Sequence, residues 1–291
     1  MQRLVAVLER IELLLPVQPP TDFESSPAFR WRKRRYLGIE QGQLQAVVRP
    51  ALIAFDDLKH IDQQKDAIRQ NTVRFVRGLP ANNVLLTGAR GTGKSSLIRA
   101  CLQAFAAQGL RLIEVDKRDL IDIADIVDLI AARNERFVVF CDDLSFDANE
   151  AGYKELKAAL DGSIAGAASN VLIYASSNRR HLMPEMMRDN LETRYDDDGE
   201  IYPTEAVEER ISLSERFGLW LSFYPFRQDD YLDIVAHWLA RFGSQPREVE
   251  QARSEALQFA LQRGSRSGRV ALQFARHWAG SRQLSASDTA R

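Results

Sequence analysis

The sequence predicts an α/β fold: a five-stranded parallel sheet with helices on both faces, as a three-layer sandwich, followed by a small all-helical C-terminal domain. Short apolar runs recur along the middle of the chain, as in strands that are buried on both faces. Helical stretches separate most of these runs, and such crossovers join parallel strands. From residue 227 onward, three amphipathic helical faces follow one another. The predicted strands are residues 84–87, 111–115, 137–141, 171–175 and 219–223.

Changes in pattern divide the 291 residues into three segments. Residues 1–48 contain an N-terminal helix and a basic–aromatic arm. Residues 49–225 are predicted to form an α/β domain, and residues 226–291 a helical domain that packs beside it. An acidic stretch at 188–212 interrupts the α/β segment, and we interpret it as a solvated loop.

Three features are predicted ahead of the first strand. Apolar residues of 4–15 share one face of a helix, whose charged residues argue against a secretory segment. A second helix is predicted over 55–79, with Asp57 as a candidate N-cap. The basic run at 29–36 has two interpretations: a surface that contacts phosphates and stacks on bases, or a solvated basic face whose aromatic residues anchor the arm. Its aromatic members are Phe29, Trp31 and Tyr36.

Composition is typical of a soluble globular protein. The formal net charge is −1, so no overall field favours nucleic acid or a membrane as a partner. No apolar segment reaches the roughly 18 residues that a membrane-spanning helix needs. Cys101 and Cys141 lie in apolar segments, which predicts core residues and not a disulfide or metal pair. These features predict a cytoplasmic protein that does not bind membranes.

A phosphate-binding loop follows the first predicted strand and opens into a predicted helix, as the G-x-x-x-x-G-K-S pattern requires. Its glycines let backbone N–H groups approach phosphate oxygens, and the start of the helix adds a positive dipole end. Lys94 is predicted to reach the β- and γ-phosphates, and the Ser95 hydroxyl to bind Mg²⁺. The residues predicted to bind nucleotide here are Gly88, Ala89, Arg90, Gly91, Thr92, Gly93, Lys94, Ser95 and Ser96.

Two acidic residues end the predicted strand at 137–141. Ligands of open α/β sheets bind at the carboxyl ends of the strands, so Asp142 is predicted to hold Mg²⁺ directly or through water. Asp143 is predicted to orient or deprotonate the attacking water. The alternative for Asp143 is to cap the turn that begins at Leu144.

Three later motifs follow in order: Asn178 at a strand end, Arg216-Phe217-Gly218 before the last strand, and Gly268-Arg269 at the start of a helix. Together with the phosphate loop and the acidic pair, this order resembles the AAA+ ATPase superfamily over about residues 50–291. Within it, the chain looks most like an uncharacterised bacterial family of single-domain AAA+ ATP-binding proteins. The Asp-Asp and Arg-Phe-Gly motifs are also similar to those of replication initiators.

The resemblance implies a role for each of these residues. Asn178 would be the sensor that holds the attacking water or the γ-phosphate. Arg216 would be an arginine finger that reaches the nucleotide of a neighbouring subunit, and Arg269 would reach the γ-phosphate from the helical domain of the same chain. Residues 57–61, with Ile61 among them, resemble the segment that packs around adenine. The alternatives are a helix cap for Asn178, a surface position for Arg216 and an acidic partner for Arg269.

One departure from the AAA+ pattern concerns the rate. The superfamily usually has Glu where Asp143 stands, and the shorter side chain predicts slow hydrolysis. The expected function is a Mg²⁺-dependent ATPase whose cycle is coupled to homo-oligomerisation and to remodelling or switching of a protein partner. The alternatives are a DNA-associated ATPase of the loader or initiator kind and a nucleotide-binding scaffold that does not hydrolyse ATP.

Overall fold

The computed structural model describes residues 21–36, 39–145, 151–161, 168–178, 194–195, 201–202 and 213–289. The predicted N-terminal helix lies outside these residues. So does most of the predicted acidic loop at 188–212, apart from two paired segments of two residues each. The strands are β1 (Ala28–Tyr36), β2 (Ile39–Ala46), β3 (Val84–Gly88), β4 (Leu110–Val115), β5 (Arg136–Cys141), β6 (Val171–Ser177), β7 (Arg194–Tyr195), β8 (Ile201–Tyr202) and β9 (Leu219–Phe223). The helices are α1 (Asp62–Val76), α2 (Lys94–Phe105), α3 (Ile123–Ala131), α4 (Ala151–Asp161), α5 (Gln228–Arg241), α6 (Pro246–Gln262) and α7 (Gly268–Thr289).

The main sheet has seven strands, in the order β2-β1-β4-β5-β6-β3-β9. The five strands predicted from sequence are neighbours in this sheet and run parallel to one another. The predicted count of five is wrong because the basic–aromatic segment adds a hairpin. Its strand β1 pairs in parallel with β4, and β2 closes the edge as an antiparallel strand. Strand β1 was not predicted because most of its residues are charged, although its alternate side chains Phe29 and Trp31 are buried.

Strand order decides where the site lies. β3, which leads into the phosphate loop, lies between β6 and β9, and β5 lies beside β6. Because these strands are parallel, their carboxyl ends lie along one edge of the sheet. Gly88 and the residues that follow β5 and β6 are therefore brought together.

Apolar side chains cover both faces of the sheet. One face packs against α1, α2 and the C-terminal helices, through residues such as Leu86, Leu97 and Tyr231. The other face packs against α3 and α4, through residues such as Leu85, Ile126 and Leu156. Helices on both faces confirm the predicted layering. Both cysteines are buried and unpaired with each other, as predicted for core residues.

The first helix begins at Asp62 and not near Asp57, as the pattern had predicted. A short turn of 3₁₀ helix covers Phe55–Asp57, and His60 then adopts a positive φ of 60°, which interrupts the helical path. Asp57 is 7% exposed and accepts hydrogen bonds from α5, where His237 Nε2 lies 3.0 Å from its Oδ1. Asp57 is thus a tertiary contact of the C-terminal helices and not a helix cap.

The C-terminal part of the chain is helical, as predicted. Pro246 starts α6, where the missing N–H of proline costs no intrahelical bond. Helices α5 and α7 pack along each other and against the sheet-covering helices through a shared core. Within the described part of the chain, no helix has the length and apolar character needed to cross a membrane.

Candidate functional site

The loop after β3 has the backbone form that its glycines permit. Gly88 has a φ of 123°, and a Cβ atom on it would lie 1.9 Å from the carbonyl oxygen of Phe223 in β9. Gly93 has a φ of 104° and directly precedes α2, so the loop ends at the N-terminus of a 12-residue helix. Backbone N–H groups at such a helix start, together with the helix dipole, favour an anion.

The Lys94 side chain lies inside this loop and is only 6% exposed. Its ammonium group donates to the carbonyl oxygens of Gly88 and Ala89, each at 2.7 Å. A third hydrogen bond, of 2.9 Å, goes to Oδ1 of Asn178 at the end of β6. A lysine ammonium has three donors, so all of them are used.

The environment of Lys94 lowers its pKa to about 8, because burial disfavours the charged form. The nearby carboxylates of Asp142 and Asp143 act in the opposite direction, and the cations Arg90 and Arg269 lower the pKa further. The Lys94 ammonium therefore loses its proton at a lower pH than an exposed lysine does. A bound anion would raise the pKa again, because it favours the charged form.

Asp142 lies after β5 and joins the loop to the neighbouring strand. Its Oδ1 accepts a hydrogen bond of 2.6 Å from Ser95 at the start of α2. The same oxygen accepts a bond of 2.5 Å from the hydroxyl of Ser176 in β6. The donor set is a hydroxyl and a carboxylate, which are the hard oxygen ligands that Mg²⁺ takes alongside substrate phosphates and water. These residues therefore fit the metal that the motifs predict.

Asp143 is held in an unusual backbone conformation beside this pair. Its φ is 53°, which is in the left-handed region that non-glycine residues rarely adopt. Its backbone N–H donates to Ser176 Oγ at 3.1 Å, and its Oδ1 accepts a 2.5 Å bond from Nδ2 of Asn178. The Asn178 amide therefore connects Asp143 to Lys94. The backbone strain, in a position between loop and strand ends, marks this residue as a candidate for function and not for packing.

A cavity of about 560 Å³ contains these groups. The phosphate loop, the two aspartates and Asn178 line this cavity. Apolar side chains from the segment before α1, from the residues before α5 and from the C-terminal helices line it as well, and they are Ile53, Leu58, Ile61, Phe226, Ile234, Trp238 and Leu272. A cavity that combines apolar side chains with a group of hydrogen-bond donors has the character of a nucleotide site.

Arg269 lines the same cavity from the first turn of α7. Its backbone N–H lies 3.4 Å from the carbonyl oxygen of Gly91, so the helix start contacts the phosphate loop directly. A cation at a helix N-terminus is unfavourable without an anion nearby, which favours a ligand role for this side chain.

One protein family has a sequence profile that matches residues 24–282, and it is described as "Protein of unknown function (DUF815)". The chain belongs to this family. No curated protein sequence matches the chain. Among solved structures, the chain is similar to the Thermotoga maritima RuvB Holliday junction branch migration motor, with a TM-score of 0.42 and 14% identity over 76% of this chain and 70% of that one. A variant of Thermotoga maritima RuvB gives a TM-score of 0.44 at the same identity and coverage.

Arg216 of this DUF815 family member does not line the cavity. It precedes β9, which pairs with β3, and it lies near the amino ends of the strands, at the opposite end of these strands from the phosphate loop. Its Nε donates to Asp161 Oδ1, at the end of α4, at 2.5 Å. Within one chain Arg216 is therefore not positioned to contact a nucleotide.

The structure adds residues that sequence patterns did not single out. Ser176 reaches Asp142 only because β6 lies beside β5, and Trp238 lines the cavity only because α5 packs beside it. Helix α5 is fastened to the segment before α1 by the bonds of His237 to Asp57 and of His60 to Asp230. These pairs join positions far apart in sequence, so no local signal identifies them.

Proposed function

We propose that the chain binds ATP together with Mg²⁺ and hydrolyses it slowly, as a AAA+ type ATPase. The observation that carries the proposal is that one cavity combines the phosphate loop, the Ser95–Asp142 pair, the Asn178–Asp143 pair and apolar lining side chains. The apolar side chains suit a purine ring, and the loop suits the phosphates. Arg269 adds a second cation at the loop end.

Phosphate binding changes the partners of Lys94. Its three donors are engaged with two loop carbonyls and Asn178, so contact with a phosphate requires one of these bonds to be given up. The bond to Asn178 is the one that can be released by rotation of a side chain. The freed Oδ1 of Asn178 can then accept a hydrogen bond from water, while Nδ2 stays bonded to Asp143.

Ser95 and Asp142 are the residues that would hold Mg²⁺. The ion would supply neutralisation of charge on the β- and γ-phosphates. The chain's own part is to position these two ligands: Ser176 holds Asp142 from the neighbouring strand, and Asp142 in turn accepts a hydrogen bond from Ser95.

Water attacks the γ-phosphorus in line with the leaving oxygen in such a reaction, and a carboxylate orients it or takes its proton. Asp143 is the proposed group, because its carboxylate lies in the cavity and Asn178 fixes its direction. An aspartate reaches one methylene less far than a glutamate, so the proposed reaction is slow.

Asp143→Asn is expected to bind ATP as the original chain does but to slow hydrolysis by about 10²–10⁴-fold. The amide keeps the size of the side chain and tolerates the positive φ, yet it cannot accept a proton. Nucleotide extracted from the protein after hours of incubation with ATP and Mg²⁺ should be ADP for the original chain and ATP for the variant.

Asp125→Asn, an exposed position on α3, is the matched control and should leave the ATP-to-ADP ratio unchanged. Equal ADP formation by the Asp143 variant would remove the proposed role of this carboxylate. Retained ATP in both the variant and the original chain would instead favour a nucleotide-binding scaffold without hydrolysis.

The affinity for a non-hydrolysable ATP analogue is expected to fall as the pH rises above about 8, because Lys94 then loses its charge before the ligand binds. Burial lowers the pKa in the free protein, and phosphate favours the protonated form, so binding above this pH requires proton uptake. The dissociation constant should be flat below the pKa and should rise by nearly tenfold per pH unit above it.

Lys94→Arg tests the origin of this dependence, because a guanidinium stays protonated across the range. Whatever its affinity at neutral pH, the variant should lose the rise in dissociation constant. The same rise in the variant would assign the pH dependence to another group.

We further propose that the chain self-associates so that Arg216 of one copy reaches the nucleotide of the next. Arg216 lies at the amino end of β9, at the opposite end of the strands from the phosphate loop. This position supports contact with the nucleotide of a neighbouring copy and not with that of its own chain. A site completed between copies would let the nucleotide cycle change the assembly, and we propose remodelling of a bound protein partner as the use of that change.

A further inference from the structure

The basic run at 29–36 lies in β1, which forms a two-stranded ribbon with β2 at the lateral edge of the sheet. Strand β1 pairs with β4 only over Ala28–Arg30, whereas its pairing with β2 continues to Tyr36. Because β4 ends at Val115, the rest of the ribbon extends past the carboxyl end of that strand. The ribbon is therefore joined to the sheet at residues 28–30 and projects from it over residues 31–36 and their partners in β2.

One face of the ribbon is anchored to the protein. Trp31 is 4% exposed, and its indole N–H donates to Asp122 Oδ2 at 2.9 Å. Its ring covers Gly42 on the partner strand, where a Cβ atom would lie 1.9 Å from a ring carbon. Lys33 on the same face lies 2.9 Å from Asp122, a hydrogen bond that raises the lysine pKa. Since Phe29 is buried as well, neither it nor Trp31 is available to stack on bases.

The opposite face carries a regular array of arginine and glutamine. Directly opposed residues of an antiparallel pair share a face, as do residues two apart on a strand. The three opposed pairs on this face are Arg30 with Gln45, Arg32 with Gln43 and Arg34 with Gln41. Arg30 is bonded to Glu114 at 2.6 Å. Arg32 and Arg34 are exposed and form no ion pair with any residue that the structure describes.

From this array we propose that the ribbon docks on double-stranded DNA, with its arginine and glutamine face in the major groove. The groove is about 12 Å wide and admits a two-stranded ribbon. Arginine binds phosphates or guanine, and glutamine is a two-point partner of adenine. Glutamines opposite arginines add hydrogen-bonding groups without charge, which suits base edges better than it suits an acidic protein. The proposal does not depend on ATP binding.

Duplex binding is measured by fluorescence anisotropy with the full chain and a labelled duplex of mixed sequence, across a salt series. The original chain should bind at low salt. Arg32→Ala/Arg34→Ala should bind more weakly, and the slope of log affinity against log salt should become shallower by about two, because each lost phosphate contact removes roughly 0.9. The thermal midpoint should not change, since both side chains are exposed.

Arg247→Ala/Arg253→Ala removes the same charge from exposed positions on α6 and should leave the salt slope unchanged. No duplex binding by the original chain, or an equal loss in both double variants, would overturn the proposal. So would a preference for the corresponding single strand, or equal competition by poly-glutamate at matched charge, since each denies a groove-specific contact. Lys94→Ala should keep duplex binding, so failure of the ATPase proposal and failure of this one give different results.

Gln41→Ala/Gln43→Ala tests the contacts to bases. The salt slope should stay as it is, because no charge is removed. The ratio of affinities between the best and worst duplexes selected from a randomised pool should fall at least about fivefold. An unchanged ratio, or no preference in the original chain, would overturn the base contacts.

Discussion

Lys94→Ala is expected to weaken ATP binding by at least about 100-fold. The ammonium is the buried cation of the phosphate loop, and hydrogen bonds that involve a charged group contribute roughly 1.5–3 kcal/mol each. The substitution also leaves the carbonyl oxygens of Gly88 and Ala89 without this donor. Isothermal titration with ATP and Mg²⁺ measures the loss, and Lys154→Ala, an exposed lysine on α4, should bind as the original chain does.

The thermal midpoint without nucleotide separates a lost ligand contact from a lost fold. A folded Lys94→Ala chain should keep a cooperative transition and should show no shift when ATP is added, whereas the original chain should be stabilised by mass action. An unchanged dissociation constant for ATP in the variant would mean that the nucleotide does not bind at this loop.

Arg216→Ala is expected to lower ATP turnover by about 10³-fold or more at protein concentrations that favour assembly, without changing ATP affinity. An arginine supplied in trans stabilises charge that develops on the γ-phosphate, an effect of ~10³–10⁵ in rate. Specific activity of the original chain should rise with protein concentration, and that of the variant should stay low and flat. Arg133→Ala, which breaks a comparable arginine–carboxylate pair with Glu135, should behave as the original chain does.

A mixing experiment makes this expectation sharper. The Arg216→Ala chain keeps an intact nucleotide site, and the Lys94→Ala chain keeps its Arg216. Neither variant should turn over ATP alone, and equal amounts of the two should recover activity if one copy completes the site of the next. A concentration-independent original chain with no recovery in the mixture would contradict a shared site.

The strands and the phosphate loop were predictable because their signals are local. A short continuous apolar run such as 137–141 is typical of a strand that is buried on both faces. The glycines and Lys94 of the loop are likewise adjacent in sequence. The five core strands and the position of the acidic pair at a strand end were therefore predicted from short stretches of residues.

The hairpin was not predictable by the same means. The alternation of apolar and polar residues is not visible in the sequence of β1, because the charged Lys33 lies on the same face as Phe29 and Trp31. Lys33 is paired with Asp122, whereas the two aromatic side chains are buried in the core. The prediction of Asp57 as a helix N-cap was wrong for a related reason. An aspartate before a helical pattern resembles an N-cap, but this one is buried against His237, 180 residues further along the chain.

The sequence by itself determined the phosphate loop, the carboxylates after β5 and the alternation of strands and helices, because each depends on neighbours within a few residues. Only the tertiary structure decided which of the predicted groups meet. The order of the strands brings Ser176 to Asp142 and Asn178 to Lys94, and α5 contributes Trp238 to the cavity. Arg216 lies at the other end of the strands, before the start of β9. The physical reason is that long-range contacts depend on how buried faces pack, and the residues that make them carry no shared local pattern.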